Sequence, residues 1–160
     1  MSFYNNIQKK LSELSDAKKQ YWEDLESRIN YFQDGLITYL GVKELVLYDS
    51  KDKSYPIVVV GTMKGDSVEK APGYKMERVE GEINSLHFYV QVNLSKANSE
   101  ILDSKKILKC FIWRRGDDYF VNVEGVEVKC IRKTSTNDFT LAYDRIYKNL
   151  ENHLDKKSYE

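Results

Sequence analysis

Apolar residues in the first quarter of the chain recur at steps of mostly three or four. They are Phe3, Ile7, Leu11, Leu14, Tyr21, Leu25, Ile29, Phe32, Leu36 and Leu40. That spacing stacks side chains on one face of an α-helix. Lys9, Lys10, Glu13, Lys19, Glu23, Glu26 and Gln33 supply a polar opposite face. The periodicity predicts helix over 3–40. The stripe thins to Lys18 between Leu14 and Tyr21, and Ser15 and Asp16 are N-cap types, so a break is expected near Ser15. The weakly striped turns before it are expected to be free to swing or to meet a partner. Gly41 sits where a helix C′ glycine belongs. Gly35, inside the pattern, points to close packing or a slight bend.

From Val42 the period changes to two. Leu45–Asp49 and Tyr55–Thr62 read as a hairpin, with Ile57 to Val60 apolar on both faces and so expected centrally in a sheet. Met63–Gly73 reads as a loop. Tyr74–Ile83 and Leu86–Leu94 read as a second hairpin about Asn84-Ser85. In the latter strand Leu86, Phe88, Val90, Val92 and Leu94 alternate with His87, Tyr89, Gln91 and Asn93, one face for a core and one for water or a partner. Lys106–Arg114 and Tyr119–Glu124 flank the turn signal Arg115-Gly116-Asp117-Asp118. Val126, Val128 and Cys130 continue the alternation. Phe139, Leu141, Ala142, Ile146, Leu150 and Leu154 stripe a last helix, capped by Asn137 or Asp138.

These elements define one α+β domain over 1–160. A long N-terminal helix (about 3–40) and a C-terminal helix (about 138–155) flank a mostly antiparallel sheet of six or seven short strands (about 43–132). Each amphipathic element must bury its apolar side, so helices on one sheet face are expected. No apolar run nears the roughly 20 residues of a membrane span, and no leader pattern is read at the start. The cytoplasm is the expected compartment, with Cys110 and Cys130 as buried thiols rather than a disulfide.

Site chemistry is sparse. The two histidines, His87 and His153, are far apart in sequence. The cysteines form no CxxC spacing, so no metal, cofactor or catalytic set is expected. Asp117-Asp118 is what a tight turn requires, and Glu80 and Glu82 read as a solvated strand face.

What stands out is aromatic content: twelve Tyr, six Phe and two Trp. Aromatic side chains anchor interfaces. The leading expectation is therefore a non-enzymatic protein-interaction module (inhibitor, immunity-type, antitoxin-like or small chaperone). Its partner-binding residues would be Tyr21, Trp22, Tyr31 and Tyr39, with a homodimer as one form. One alternative is nucleic-acid binding. Eight basic residues against four acidic lie between Lys105 and Lys133, whereas residues 1–103 carry 13 basic and 16 acidic. Lys109, Trp113, Arg114, Arg115, Lys129 and Arg132 would then combine phosphate contact with base stacking. A second alternative is a small-ligand pocket between helix and sheet, lined by His87 and Tyr89 with Arg114.

Overall fold

The computed structural model describes residues 2–131 and 138–160. Helix α1 runs Phe3–Ile29 and starts at Ser2, whose hydroxyl accepts the Asn5 backbone N–H at 3.1 Å. The break expected near Ser15 is absent. Serine and aspartate cost an exposed helix interior only a few tenths of a kcal/mol more than neighbouring residue types. Ion pairs at i,i+4 spacing, Lys9–Glu13 and Lys19–Glu23, flank the position. The helix breaks instead at Asn30-Tyr31. There the Asn30 side-chain oxygen accepts the Gly73 N–H at 2.8 Å. Helix α2 follows over Phe32–Leu40 and closes on Gly41 in the left-handed region.

Strands β1 (Val46–Tyr48) and β2 (Ser54–Pro56) form a separate two-stranded ribbon. The main sheet has seven strands. They are β3 (Val58–Lys64), β4 (Ser67–Lys70), β5 (Glu77–Val79), β6 (Ser85–Leu94), β7 (Ser104–Arg115), β8 (Asp118–Val123) and β9 (Val126–Ile131). Their order is β4-β3-β6-β7-β8-β9, every pair antiparallel, and β5 also pairs with β6. Helix α3, Thr140–His153, ends the fold.

Three expectations change. The run Ile57 to Val60 does not lie centrally, because β3 has only β4 outside it, and Ile57 and Val59 are half-buried. The expected loop Met63–Gly73 contains β4. With Val68 its one apolar residue, β4 has no period-two signal. The Gln91 side chain holds it in place, accepting the Val68 N–H at 2.8 Å. The expected strand Tyr74–Ile83 shrinks to β5, leaving residues 80–84 as a loop.

The helices cover one face of the sheet. Leu86, Phe88, Val90, Leu108, Cys110, Ile112, Val121 and Val123 meet Trp22, Leu25, Ile29, Phe32, Leu36 and Ile146 in one core. Phe32 is the hub, with its ring 5.0–5.2 Å from those of Phe88, Phe139 and Tyr143. Gly35 marks close packing: a Cβ there would collide with the Tyr143 hydroxyl. That hydroxyl donates to the Phe32 carbonyl at 3.1 Å.

Gly73 is tighter still. A Cβ at Gly73 would overlap the main chain of Glu26 in α1, and backbone cannot rotate away. Gly73→Ala is therefore expected to cost about 1–3 kcal/mol, the usual range for overpacking. Urea denaturation measures it, and a midpoint equal to wild type would show that α1 shifts freely.

Candidate functional site

Helix α1 has two halves with different surroundings. From Trp22 to Ile29 it is docked. Trp22, Leu25, Glu26 and Ile29 are buried. Asp24 takes three charge-assisted or hydroxyl bonds: from Arg114 Nη1 and the Tyr119 hydroxyl, both at 2.6 Å, and from Arg28 Nε at 3.2 Å. Glu26 accepts from Arg78 Nη2 at 2.6 Å, and the Arg78 guanidinium also lies over the Trp22 ring. The Tyr21 hydroxyl donates to the Asn84 carbonyl and accepts the Arg114 N–H; burial raises its pKa above the ordinary phenol value.

From Ser2 to Gln20 every residue is exposed. This overhang is about five turns, or 27 Å, long. Its apolar residues Phe3, Tyr4, Ile7, Leu11 and Leu14 are 51–89% exposed. They continue the same face that buries Tyr21, Trp22 and Leu25 farther along. At the root of the overhang lies a groove of about 430 Å³. Leu14, Ala17, Lys18, Tyr21 and Trp22 form one wall, and Glu80, Gly81 and Asn84 of the loop after β5 form the other.

The four aromatic residues expected to bind a partner thus divide. Tyr21 and Trp22 are held by contacts within the chain, yet both line the groove. Tyr31 and Tyr39 are exposed, and the Tyr39 hydroxyl donates to Asp144. The overhang at Phe3–Leu14 was legible in the sequence as a weak stripe free of the body; what the sequence did not record is that it continues α1 without a break at Ser15.

The outer sheet face holds part of both alternatives: His87, Tyr89, Lys109, Trp113, Arg115 and Lys129. His87 and Tyr89 point away from the helices, since Leu86, Phe88 and Val90 alternate with them into the core. They do not line the helix–sheet space, which core side chains fill. His87 stacks on Phe111 at 5.0 Å, and Trp113 stacks on Phe120 at 4.4 Å. Trp113 is buried, and its Nε1–H donates to Glu127 at 2.6 Å. Arg114 turns to the helix side and pairs with Asp24, Arg115 covers the Trp113 ring, and Lys129 pairs with Asp118 at 3.4 Å. Lys109 is exposed. Arg132 lies outside the described residues, as does the expected loop Thr134–Asn137. Gln91 and Asn93, read as a wet face, are buried. Gln91 Nε2 donates to Asn93, and Asn93 Nδ2 donates to the Pro56 carbonyl at 2.7 Å, tying the ribbon to the sheet.

Both cysteines are free and buried. Burial raises the Cys110 thiol pKa and pushes that of Cys130 up to about 11. Among the described residues no three His, Cys, Asp or Glu side chains stand close enough to hold a metal ion. No described helix is long and apolar enough to cross a membrane. No protein-family model, curated protein or solved structure matches the chain.

Burial lowers the His87 pKa below 6.5, opposed by Glu77 across the strand pair and aided by Lys109. Ser85 Oγ lies 2.9 Å from its Nε2. Between the folded value and the unfolded value of about 6.5, the unfolded chain binds more protons, so stability falls as pH drops through that window. Thermal melts should show wild type losing more Tm than His87→Gln between about pH 7.5 and about pH 5. Parallel losses in the two proteins would remove His87 as the cause.

Proposed function

We propose that the chain is a non-enzymatic protein-interaction module whose working surface is the overhanging face of α1 with the groove at its root. The observation that carries this is the exposure of five large apolar side chains along one face of a helical segment, 2–20, in which every residue is exposed. Taking aromatic and aliphatic side chains at about 150–200 Å² each, the row presents about 600 Å² of apolar surface, the top of what a typical monomer leaves open. An amphipathic helix is a common recognition element, read through anchors at i, i+3, i+4 and i+7 spacing.

Tyr21, Cys110, Cys130 and Tyr143 have pKa values raised chiefly by burial in the packed interior and its margin. Nucleic-acid binding through 105–133 is the weaker reading. Arg114 and Lys129 are neutralised by Asp24 and Asp118, and the rings that would stack on bases stack on each other.

Two measurements test the proposal. A photo-crosslinking residue at Leu11 should capture protein in cells, whereas one at Asp16, about the far side of the helix, should not. Equal capture at both positions, or none at either, would overturn the proposal. Tyr4→Ser combined with Ile7→Ser should abolish capture by the Leu11 photo-residue yet leave stability in dilute solution within about 1 kcal/mol of wild type, as expected for surface positions. A large loss would show that the stripe serves the fold instead.

A further inference from the structure

The exposed stripe has a stricter spacing than packing on a sheet requires. Tyr4, Ile7, Leu11, Leu14, Lys18, Tyr21 and Leu25 alternate steps of three and four without interruption. This is the 3.5-residue period of a seam that meets another helix. A helix lying on a sheet usually shows a wider stripe. In the overhang the flanking positions are mostly narrow or polar: Gln8, Lys10, Ser15 and Ala17. The seam is shaped for a helix, and the docked part of this chain ends short of it, at Tyr21.

We propose that the helix it meets is α1 of a second copy, antiparallel, with the tip of each helix seated in the groove of the other. The proposal rests on reading the stripe as an interaction surface. A parallel pair would set Lys18 against Lys18 and bring two copies of the 80–84 loop to the same side. An antiparallel pair places a free tip where the groove is open. Apolar layers match in two antiparallel registers. One sets Ile7 opposite Leu11 and brings Lys10 against Lys10. The other sets Leu11 opposite Leu14, Tyr4 opposite Tyr21, and Ile7 on the stem of Lys18.

The second register also places Lys10 opposite Ala17, a groove residue that neighbours Glu80. Charge favours it. Residues 2–12 carry Lys9 and Lys10 and no acid, whereas residues 80–84 carry Glu80 and Glu82 and no base. All four side chains are exposed. Both faces belong to each copy, so the contact closes on itself as a two-fold dimer. Two apolar rows of about 600 Å² give about 1,200 Å² before the groove walls are added, the lower bound of a stable interface.

Disulfide trapping tests the register. Ile7→Cys mixed with Lys18→Cys should give a linked dimer under mild oxidation, and neither variant alone should. The native thiols are buried and stay out of the exchange. A strong link from Ile7→Cys alone would mean a parallel pair and would overturn the proposal. Sedimentation of the wild-type chain should show a dimer whose dissociation constant rises about tenfold in Glu80→Lys, two exposed ion pairs being lost per dimer. Adding Lys10→Glu to that variant should restore it. A wild-type monomer at all concentrations would overturn self-pairing. The mass of the Leu11 photo-adduct separates the two levels. Twice the chain supports self-pairing, another mass overturns it while leaving the interaction reading standing, and no adduct removes both.

Discussion

The docking of α1 onto the sheet through Asp24 is the contact on which the arrangement depends. One carboxylate collects a guanidinium from β7, a phenol from β8 and an arginine one turn along its own helix. Hydrogen bonds to a charged group are worth more than neutral ones, about 1.5–3 kcal/mol each. Directionality matters as much as strength. Apolar packing by Trp22, Leu25 and Ile29 would let the helix slide or roll, whereas the two sheet donors on Asp24, Arg114 and Tyr119, fix its rotation. Gly73 fixes its height by admitting the Glu26 backbone. With rotation and height set, the direction in which the free half leaves the body is set as well.

Much of this was legible in the sequence, and the reasons for the rest are specific. Periods of three to four and of two located α1, α2, β6, β7, β8 and α3, because each turns regularly spaced apolar residues to the core. The break between α1 and α2 was misplaced because it is made by a contact 43 residues away, Asn30 to Gly73, which no local pattern records. Strand β4 was missed because Val68 is its one apolar residue, and its anchoring partner is a glutamine on another strand. In β6 the alternation held, but Gln91 and Asn93 were assigned to a face for water or a partner when their side chains are buried and hydrogen-bonded within the chain.

The aromatic excess fitted either a binding surface or an ordinary β-rich core, and the structure gives several of its members distinct places. Phe32, Phe88, Phe139 and Tyr143 build the core hub. Phe111, Trp113 and Phe120 pave the outer sheet face by stacking, which leaves their planes occupied. Trp22 and Tyr21 lie where the docked and free halves of α1 meet. Of the residues singled out for partner contact, these two are walls of a groove rather than protruding anchors.

The continuity of α1 across Gln20 and Tyr21 has a kinetic consequence. A helix of this length in isolation is limited by its first turn, whose formation is improbable by about a thousandfold. Here that turn is supplied by the half held against the sheet, so the overhang grows only by propagation from a preformed end. On the proposed reading, a partner would meet backbone already ordered, and binding would cost little conformational entropy. Capture can then proceed at the rate of orientation and collision rather than of folding, and any melting of the surface should run inward from Ser2 toward the body.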